Sequence, residues 1–213
     1  MHLRTLSLTL VASASLAACG THDLAVTGPE RAPDDPRGHH TSNYCVRFNV
    51  PAVGTIFGAP IPNPPGTVVW VEQSIPVSVN RFLLSTGVWT YNWMRIEPAP
   101  AVFTLASGNT GHTNNINAGF DFTGLPFAAT SVVFHFLDMG GHENLSVNGS
   151  PMFVGQITAP PPVIAGIGVG SVWAGVPGGS QGTVTLTGSA ANPVKRVLVG
   201  GQELWLDTVC AYP

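Results

Sequence analysis

Residues 116–138 read INAGFDFTGLPFAATSVVFHFLD, and this stretch decides the fold class. Each half alternates large apolar residues with small or polar ones, which is the period of a β-strand with one buried face. An antiparallel pairing of the halves sets Phe120 opposite Phe136 in the core. The same register sets Asp121 opposite His135 on the outer face, where a cross-strand ion pair is the simplest interpretation and a catalytic pair the alternative. The stretch therefore predicts a β-hairpin.

The rest of the chain after Tyr44 has the same character. Short runs of β-branched and aromatic residues are separated by Gly, Pro and Asn, and no apolar pattern of helical period extends over three turns. Many short strands with frequent turn signals are typical of two packed antiparallel sheets. We predict a single all-β domain, residues 44–213, with an antiparallel β-sandwich fold of jelly-roll type.

The N-terminal residues 1–18 contain Arg4 followed by a short apolar run, as in an export signal. The run ends in LAAC at 16–19, which resembles the bacterial lipobox. That resemblance implies cleavage before Cys19 and attachment of diacylglycerol to its thiol, giving a durable membrane anchor. Gly20 in place of Asp favours the outer membrane, by resemblance to Gram-negative lipoproteins. Ordinary secretion with a chance cysteine is the alternative.

Residues 19–43 are predicted to be a flexible tether that starts at the lipid-bearing cysteine. They contain several charged residues, three prolines and almost no apolar periodicity. Such a segment cannot bury enough apolar surface to offset its loss of chain entropy. We therefore expect an exported protein that is attached to the bacterial envelope through its N-terminal lipid and carries its domain at the end of a linker.

Cys45 and Cys210 are the two cysteines left after the signal. Disulfides persist in the exported compartment, so these two are expected to pair, with two separate buried thiols as the alternative. They lie 165 residues apart, and closing so long a loop stabilises a fold by roughly 4 to 5 kcal/mol in chain-entropy estimates. The pairing would tie the first strand of the domain to the last.

The charge balance argues against a nucleic-acid partner. The chain has 8 Lys and Arg against 11 Asp and Glu, and its formal net charge is −3 at pH 7. Nucleic-acid binding needs a basic stripe to contact phosphates, and no such stripe occurs here.

An aromatic face is predicted on residues 88–96. On one continuous strand the side chains of Trp89, Tyr91, Trp93 and Arg95 would share a face, because alternate residues point the same way. If that face is exposed, the rings can stack on sugars while the guanidinium binds hydroxyl groups. If it faces the partner sheet, the rings belong to the core.

A calcium site is predicted in the glycine-containing loop DMGGHEN, residues 138–144. Asp138, Glu143 and Asn144 supply the oxygen ligands that this hard cation prefers. An ordinary polar turn is the alternative interpretation. Structural calcium is the one cofactor that the sequence suggests.

Four segments of the C-terminal half carry a further resemblance. They resemble the galactose-binding-like β-sandwich domains of exported bacterial proteins, and they are residues 120–127 (FDFTGLPF), 132–138 (VVFHFLD), 143–149 (ENLSVNG) and 199–210 (VGGQELWLDTVC). The resemblance implies a jelly roll, in some members a structural calcium ion, and often glycan binding. It implies no catalytic activity.

We therefore expect a non-catalytic binding module for glycan or another envelope component. A glycosidase-like hydrolase using Asp121, Asp138 or Glu143, with His135 as a further candidate, is one alternative. A purely structural or assembly module is another. Two carboxylates about 5 to 10 Å apart across an open groove would favour the hydrolase.

Overall fold

The computed structural model describes residues 43–59 and 63–213. The predicted signal, the lipidation site Cys19 and the tether up to residue 42 lie outside the described residues. The described ranges form sixteen strands: β1 Tyr44–Val46, β2 Ile56–Gly58, β3 Thr67–Glu72, β4 Ile75–Leu83, β5 Trp89–Thr90, β6 Trp93–Pro98, β7 Asn109–Asn114, β8 Ile116–Asp121, β9 Ser131–Asp138, β10 Glu143–Val147, β11 Phe153–Gly155, β12 Val163–Ile164, β13 Ile167–Val176, β14 Gly179–Thr187, β15 Arg196–Gly201 and β16 Leu204–Tyr212. Within these ranges, no helix has the length and apolar character needed to cross a membrane.

The strands form two antiparallel sheets, which confirms the predicted all-β sandwich. The nine-stranded sheet has the order β12-β13-β14-β9-β16-β7-β6-β2, with β1 also paired to β16. The seven-stranded sheet has the order β11-β10-β15-β8-β4-β3, with β5 also paired to β4. Buried side chains from both sheets make one hydrophobic cluster between them, as expected for two sheets packed face to face.

The core forms where apolar residues alternate along the strands. Phe120 on β8 and Phe134 and Phe136 on β9 are fully buried, as predicted. Strand β4 contributes Ile75 and Val77 from every second position, and both are also fully buried. Each such side chain removes its apolar surface from water, which is worth about 1.5 to 3 kcal/mol.

The predicted hairpin of β8 and β9 is wrong. Strand β8 pairs with β4 and β15 in the seven-stranded sheet, whereas β9 pairs with β14 and β16 in the other. Asp121 is consequently ion-paired with Arg196, and His135 lies beside Thr183. The reason is that two strands facing one core from opposite sheets show the same alternation as two strands paired within a sheet.

The disulfide between Cys45 and Cys210 is confirmed. The two residues are directly opposite each other on β1 and β16, with their Cα atoms 4.1 Å apart. The bond joins the first described strand to the last across 165 residues. It fixes a three-residue strand that pairs with no strand except β16 among those described.

The continuous strand predicted over residues 88–96 is wrong. Strand β5 ends at Thr90 and pairs with β4 in the seven-stranded sheet, whereas β6 starts at Trp93 and pairs with β7 and β2 in the nine-stranded sheet. Between them, the Asn92 carbonyl accepts a hydrogen bond from Ala59 N–H at 2.7 Å. The chain changes sheet here, which period-2 alternation alone does not reveal.

Candidate binding face

The outer face of the nine-stranded sheet carries a row of large polar and aromatic side chains. Met94 and Ile96 of β6 point into the core, so Trp93, Arg95 and Glu97 point outward. In register with Arg95 are His112 on β7 and, next to it, Trp205 on β16. We call Trp93, Arg95, Glu97, His112 and Trp205 the aromatic patch.

The rings of the aromatic patch hold one another in place. His112 stacks on Trp205 with ring centroids 3.7 Å apart and an interplanar angle of 16°. Trp93 meets His112 edge-on, at 5.0 Å and 84°. The Arg95 guanidinium lies 4.9 Å from the centroid of the Trp93 ring, within the range of a cation–π contact. Three aromatic side chains and one cation are thereby fixed on three adjacent strands.

Glu97 connects the members of the patch. Its Oε1 accepts a hydrogen bond from Trp205 Nε1 at 2.5 Å. The same oxygen lies 3.1 Å from His112 Nδ1, close enough for attraction although outside hydrogen-bond geometry. Its other oxygen is 3.9 Å from the Arg95 guanidinium. The carboxylate sets the orientation of the indole and compensates the charge of the arginine.

Burial lowers the pKa of His112, although the nearby carboxylates of Glu97 and Glu203 act in the opposite direction. The imidazole is therefore neutral near pH 7 and stacks as an uncharged ring. The patch keeps one exposed cation, because the Arg95 side chain is 43% exposed. Asn92 and Asn114 lie beside it, with their side-chain amides hydrogen-bonded to each other at 3.1 Å.

Two of the four side chains predicted as an aromatic face belong to the patch, namely Trp93 and Arg95. Trp89 lies on β5 and is 49% exposed. Tyr91 packs against the core and donates its hydroxyl to the Asn63 carbonyl oxygen, and burial raises its pKa. The four side chains therefore do not share one face.

His112 and Trp205 are members of the patch that sequence reasoning missed. Trp205 lies in residues 199–210, one of the segments that resemble galactose-binding-like domains, but nothing local indicates which strand is its neighbour. His112 lies on NTGHTN, which has no apolar alternation and was not predicted to be a strand. Their proximity depends on the long-range pairing of β7 with β16.

Two of the three predicted calcium ligands, Asp138 and Glu143, lie together, whereas Asn144 has other partners. Asp138 ends β9 and Glu143 begins β10, and the two buried carboxyl groups lie close enough for the charge of Asp138 to act on Glu143. Asn144 instead bonds the backbone of Leu83, accepting from its N–H at 2.7 Å and donating to its carbonyl at 2.9 Å. Among the residues described, no three His, Cys, Asp or Glu side chains form a group able to hold a metal ion.

The Asp138–Glu143 pair is buried at the junction of the two sheets. Burial, reinforced by the charge of Asp138, raises the pKa of Glu143 to about 8. Burial also raises the pKa of Asp138. Glu143 Oε2 accepts from Ile157 N–H at 2.9 Å, and Asp138 Oδ1 accepts from Gly140 N–H at 2.8 Å. Burial of two neighbouring carboxyl groups thus favours the protonated form of Glu143.

The residues of the hydrolase alternative are held by other partners. Asp121 Oδ2 accepts from the Arg196 guanidinium at 2.6 Å. Although its burial acts in the opposite direction, hydrogen bonds from Arg196 and Thr123 keep the pKa of Asp121 below its usual range. His135 Nδ1 lies 2.9 Å from Thr183 Oγ1. With Glu143 fully buried, no open groove between paired carboxylates is formed by these residues.

Two hollows lie away from the aromatic patch. One, of about 240 Å³, is on the outer face of the seven-stranded sheet and is lined in part by Ser78, Asn80 and Leu198. The other, of about 420 Å³, is bordered mainly by apolar residues of the segment that joins β8 to β9. The larger hollow also includes Phe122, Phe127 and Lys195, and the smaller one includes the ion pair of Asp121 with Arg196.

No protein-family model matches the chain, and no curated protein or solved structure is significantly similar to it. The resemblances to the lipobox and to galactose-binding-like domains stay predictions. The chemistry of the aromatic patch is therefore the basis for assigning a function.

Proposed function

We propose that this protein is an exported, lipid-anchored binding module that holds glycan, or another polyhydroxylated envelope component, without chemically changing it. The observation that carries the proposal is the aromatic patch: Trp93, His112 and Trp205 are locked together beside Arg95 and Glu97 on one accessible sheet face. Apolar ring surface next to charged hydrogen-bonding groups matches the two sides of a sugar ring.

The arrangement suits binding because it is already ordered. The aromatic contacts and the Glu97 hydrogen bond fix the rings before a ligand arrives, so little side-chain entropy is lost on binding. The C–H face of a pyranose can pack against the accessible parts of the indoles. Arg95 and the neighbouring asparagine amides can bond its hydroxyl groups. Rigid aromatic anchors of this kind usually dominate the binding energy.

The location that the sequence predicts agrees with the same proposal. The lipobox-like segment predicts an anchor at Cys19, and the Cys45–Cys210 disulfide fits an exported compartment. A domain tethered at the bacterial surface or in the periplasm is surrounded by polysaccharide. A lipid anchor and a glycan-binding face would together hold membrane and polymer near each other.

A glycan array with the full-length chain tests the proposal, in a Cys19→Ser background so that no lipid is attached. We expect glycan binding that falls by about tenfold or more in Trp93→Ala. Trp89→Ala is the matched control, because this tryptophan is half-exposed and lies outside the patch, and it should bind as the parent does. Absence of binding to any glycan, or binding unchanged in Trp93→Ala, would overturn the proposal.

A further inference from the structure

The nine-stranded sheet ends in a long strand that is only partly covered. Strand β12 pairs with β13 at Ile167 and Gly168, and the next N–H, that of Val169, donates to the Pro162 carbonyl at 2.9 Å. Beyond this point residues 170–176 pair with β14 on one side. No other described strand pairs with them.

The turn that joins β13 to β14 shows which backbone groups of β13 are free. Strands β13 and β14 are joined by two residues, so the flanking pair Val176 and Gly179 is a hydrogen-bonded one. Even-numbered residues of β13 therefore bond β14, in agreement with the outward N–H of Val169. The N–H and C=O groups of Ser171, Trp173 and Gly175 point away from the sheet.

This edge lacks the features by which sheets usually avoid pairing. Residues 144–194 contain no Asp, Glu, Lys, Arg or His. Val172 is 78% exposed and Trp173 is 52% exposed. A long edge that has neither charge nor bulge, and that no further strand among the described residues covers, is a template for another strand.

The edge of the other sheet is different. Strand β3 has a register irregularity between Val68 and Trp70 and ends in the carboxylate of Glu72. The remaining ends of the two sheets, β2 and β11, are three residues long. Short or irregular edges offer few backbone groups in a regular row. Among the described strands, β13 is therefore the edge that is best suited to pairing.

We propose that β13 pairs with β13 of a second copy of this chain, antiparallel and about a two-fold axis at Trp173. In this register Trp173 lies opposite the partner's Trp173, and Ser171 lies opposite the partner's Gly175. Each of these opposed pairs exchanges two backbone hydrogen bonds. The free groups of both edges are then satisfied without any rearrangement of the fold.

A second copy fits this edge because the edge is complementary to itself. The three outward residues are evenly placed about Trp173, so one two-fold axis satisfies them all, as in an isologous interface. Neither β13 nor the strands β12 and β14 paired with it carries a charged side chain that its symmetry mate would repel. The two tryptophans form a cross-strand aromatic pair, which is among the more favourable pairings in sheets.

Pairing would also position the aromatic patches, a consequence that rests on the proposed function. The two-fold axis of an antiparallel pair is perpendicular to the sheet, so the outer faces of both copies lie on the same side. The two copies of β7 are nine strand spacings apart in the joined sheet, or about 43 Å along it. Two patches on one face suit a repeating polymer, because linked sites bind more tightly than single ones.

Sedimentation equilibrium of the full-length chain, in the Cys19→Ser background and without glycan, tests the pairing. We expect a concentration-dependent dimer in the micromolar range. Trp173→Lys puts two positive charges opposite each other and should raise the dissociation constant at least about tenfold. Gly175→Pro removes an outward N–H and should also weaken the dimer. Val68→Lys, at a valine that is 53% exposed on β3, is the control and should leave it unchanged.

Amide hydrogen exchange identifies the interface within the same samples. The amides of Ser171 and Trp173 should be protected at high concentration and exchange on dilution, whereas that of Val172 stays protected throughout. A monomer at every concentration overturns the proposal, as does a dimer that survives both variants or leaves these amides unprotected. Protection of the same amides in a monomer would assign the edge to another segment of this chain and would equally overturn it. Since glycan is absent, none of these results depends on the proposed function.

Discussion

The two flanks of the nine-stranded sheet use their side chains in opposite ways. The charged flank, made of β1, β2, β6, β7 and β16, carries the disulfide and the aromatic patch, in which Glu97 bonds Trp205 and contacts His112. The uncharged flank, made of β12, β13 and β14, has no charged residue and exposes Val172 and Trp173. On the charged flank, contacts between side chains fix a surface. On the uncharged flank, the outer edge of β13 has backbone groups that pair with no further described strand.

Removing the disulfide should have the largest effect, and it acts on the charged flank. The double variant Cys45→Ala, Cys210→Ala loses a cross-link that closes 165 residues. We expect the free energy of unfolding to fall by about 4 to 5 kcal/mol, as measured by urea denaturation. Addition of reductant should destabilise the parent and leave the double variant unaffected. A loss below about 1 kcal/mol would show that β1 is held by its strand pairing instead.

Asp138 is the last residue of β9, which lies between the two flanks, and Glu143 is the first residue of β10. This buried pair should make the free energy of unfolding depend on pH. The folded protein keeps Glu143 protonated up to a pKa of about 8, against an ordinary value of 4.5. Folding therefore retains a proton that the unfolded chain releases. The stabilisation is complete below pH 4.5 and is lost as the pH rises through about 8.

Glu143→Gln should remove most of this dependence, because the amide keeps a neutral donor and does not titrate, which leaves Asp138 as the titrating member of the pair. Because the pKa of Glu143 lies at about 8 in the folded protein against an ordinary 4.5, we expect the parent to lose roughly 3 to 4 kcal/mol of stability between pH 5 and pH 8, and the variant to lose much less. Glu203→Gln is the control, since this carboxylate is exposed and the slope should stay as in the parent. A slope in Glu143→Gln equal to that of the parent would contradict the raised pKa of Glu143.

The fold class could be predicted because the alternation of apolar and polar residues along a strand does not depend on which strands become its neighbours. Strand β9 shows it, and its phenylalanines are buried as expected. Strand β4 alternates as well, but Pro76 argues against a central strand. The structure resolves this conflict, because the pairing of β4 with β8 begins only at Val77.

The candidate site could be predicted only in part, because it depends on which strands become neighbours. Strand β7 has no apolar alternation, and it is held by polar contacts such as that of Thr113 Oγ1 with the Leu204 carbonyl at 3.0 Å. Its Gly111 lies so close to the Phe48 ring that an added Cβ would be 2.6 Å from it. These contacts join residues far apart in sequence, and they place His112 beside Trp205.

The smallest predicted effects compare one side chain from each flank. Glu97→Gln weakens the hydrogen bond to Trp205 and the attraction to Arg95, so we expect a loss of about 1 kcal/mol in urea denaturation and a changed near-ultraviolet signal from the tryptophans. Val172→Thr, at a side chain that is 78% exposed, should change stability by less than about 0.5 kcal/mol.

If the two variants lose the same free energy of unfolding, the patch is no more tightly fixed than an ordinary sheet surface. The preorganisation on which glycan binding is proposed would then have lost its support. A clear cost at Glu97 with none at Val172 would instead show that side-chain interactions are concentrated on the charged flank, while the uncharged flank is held by its backbone ladder.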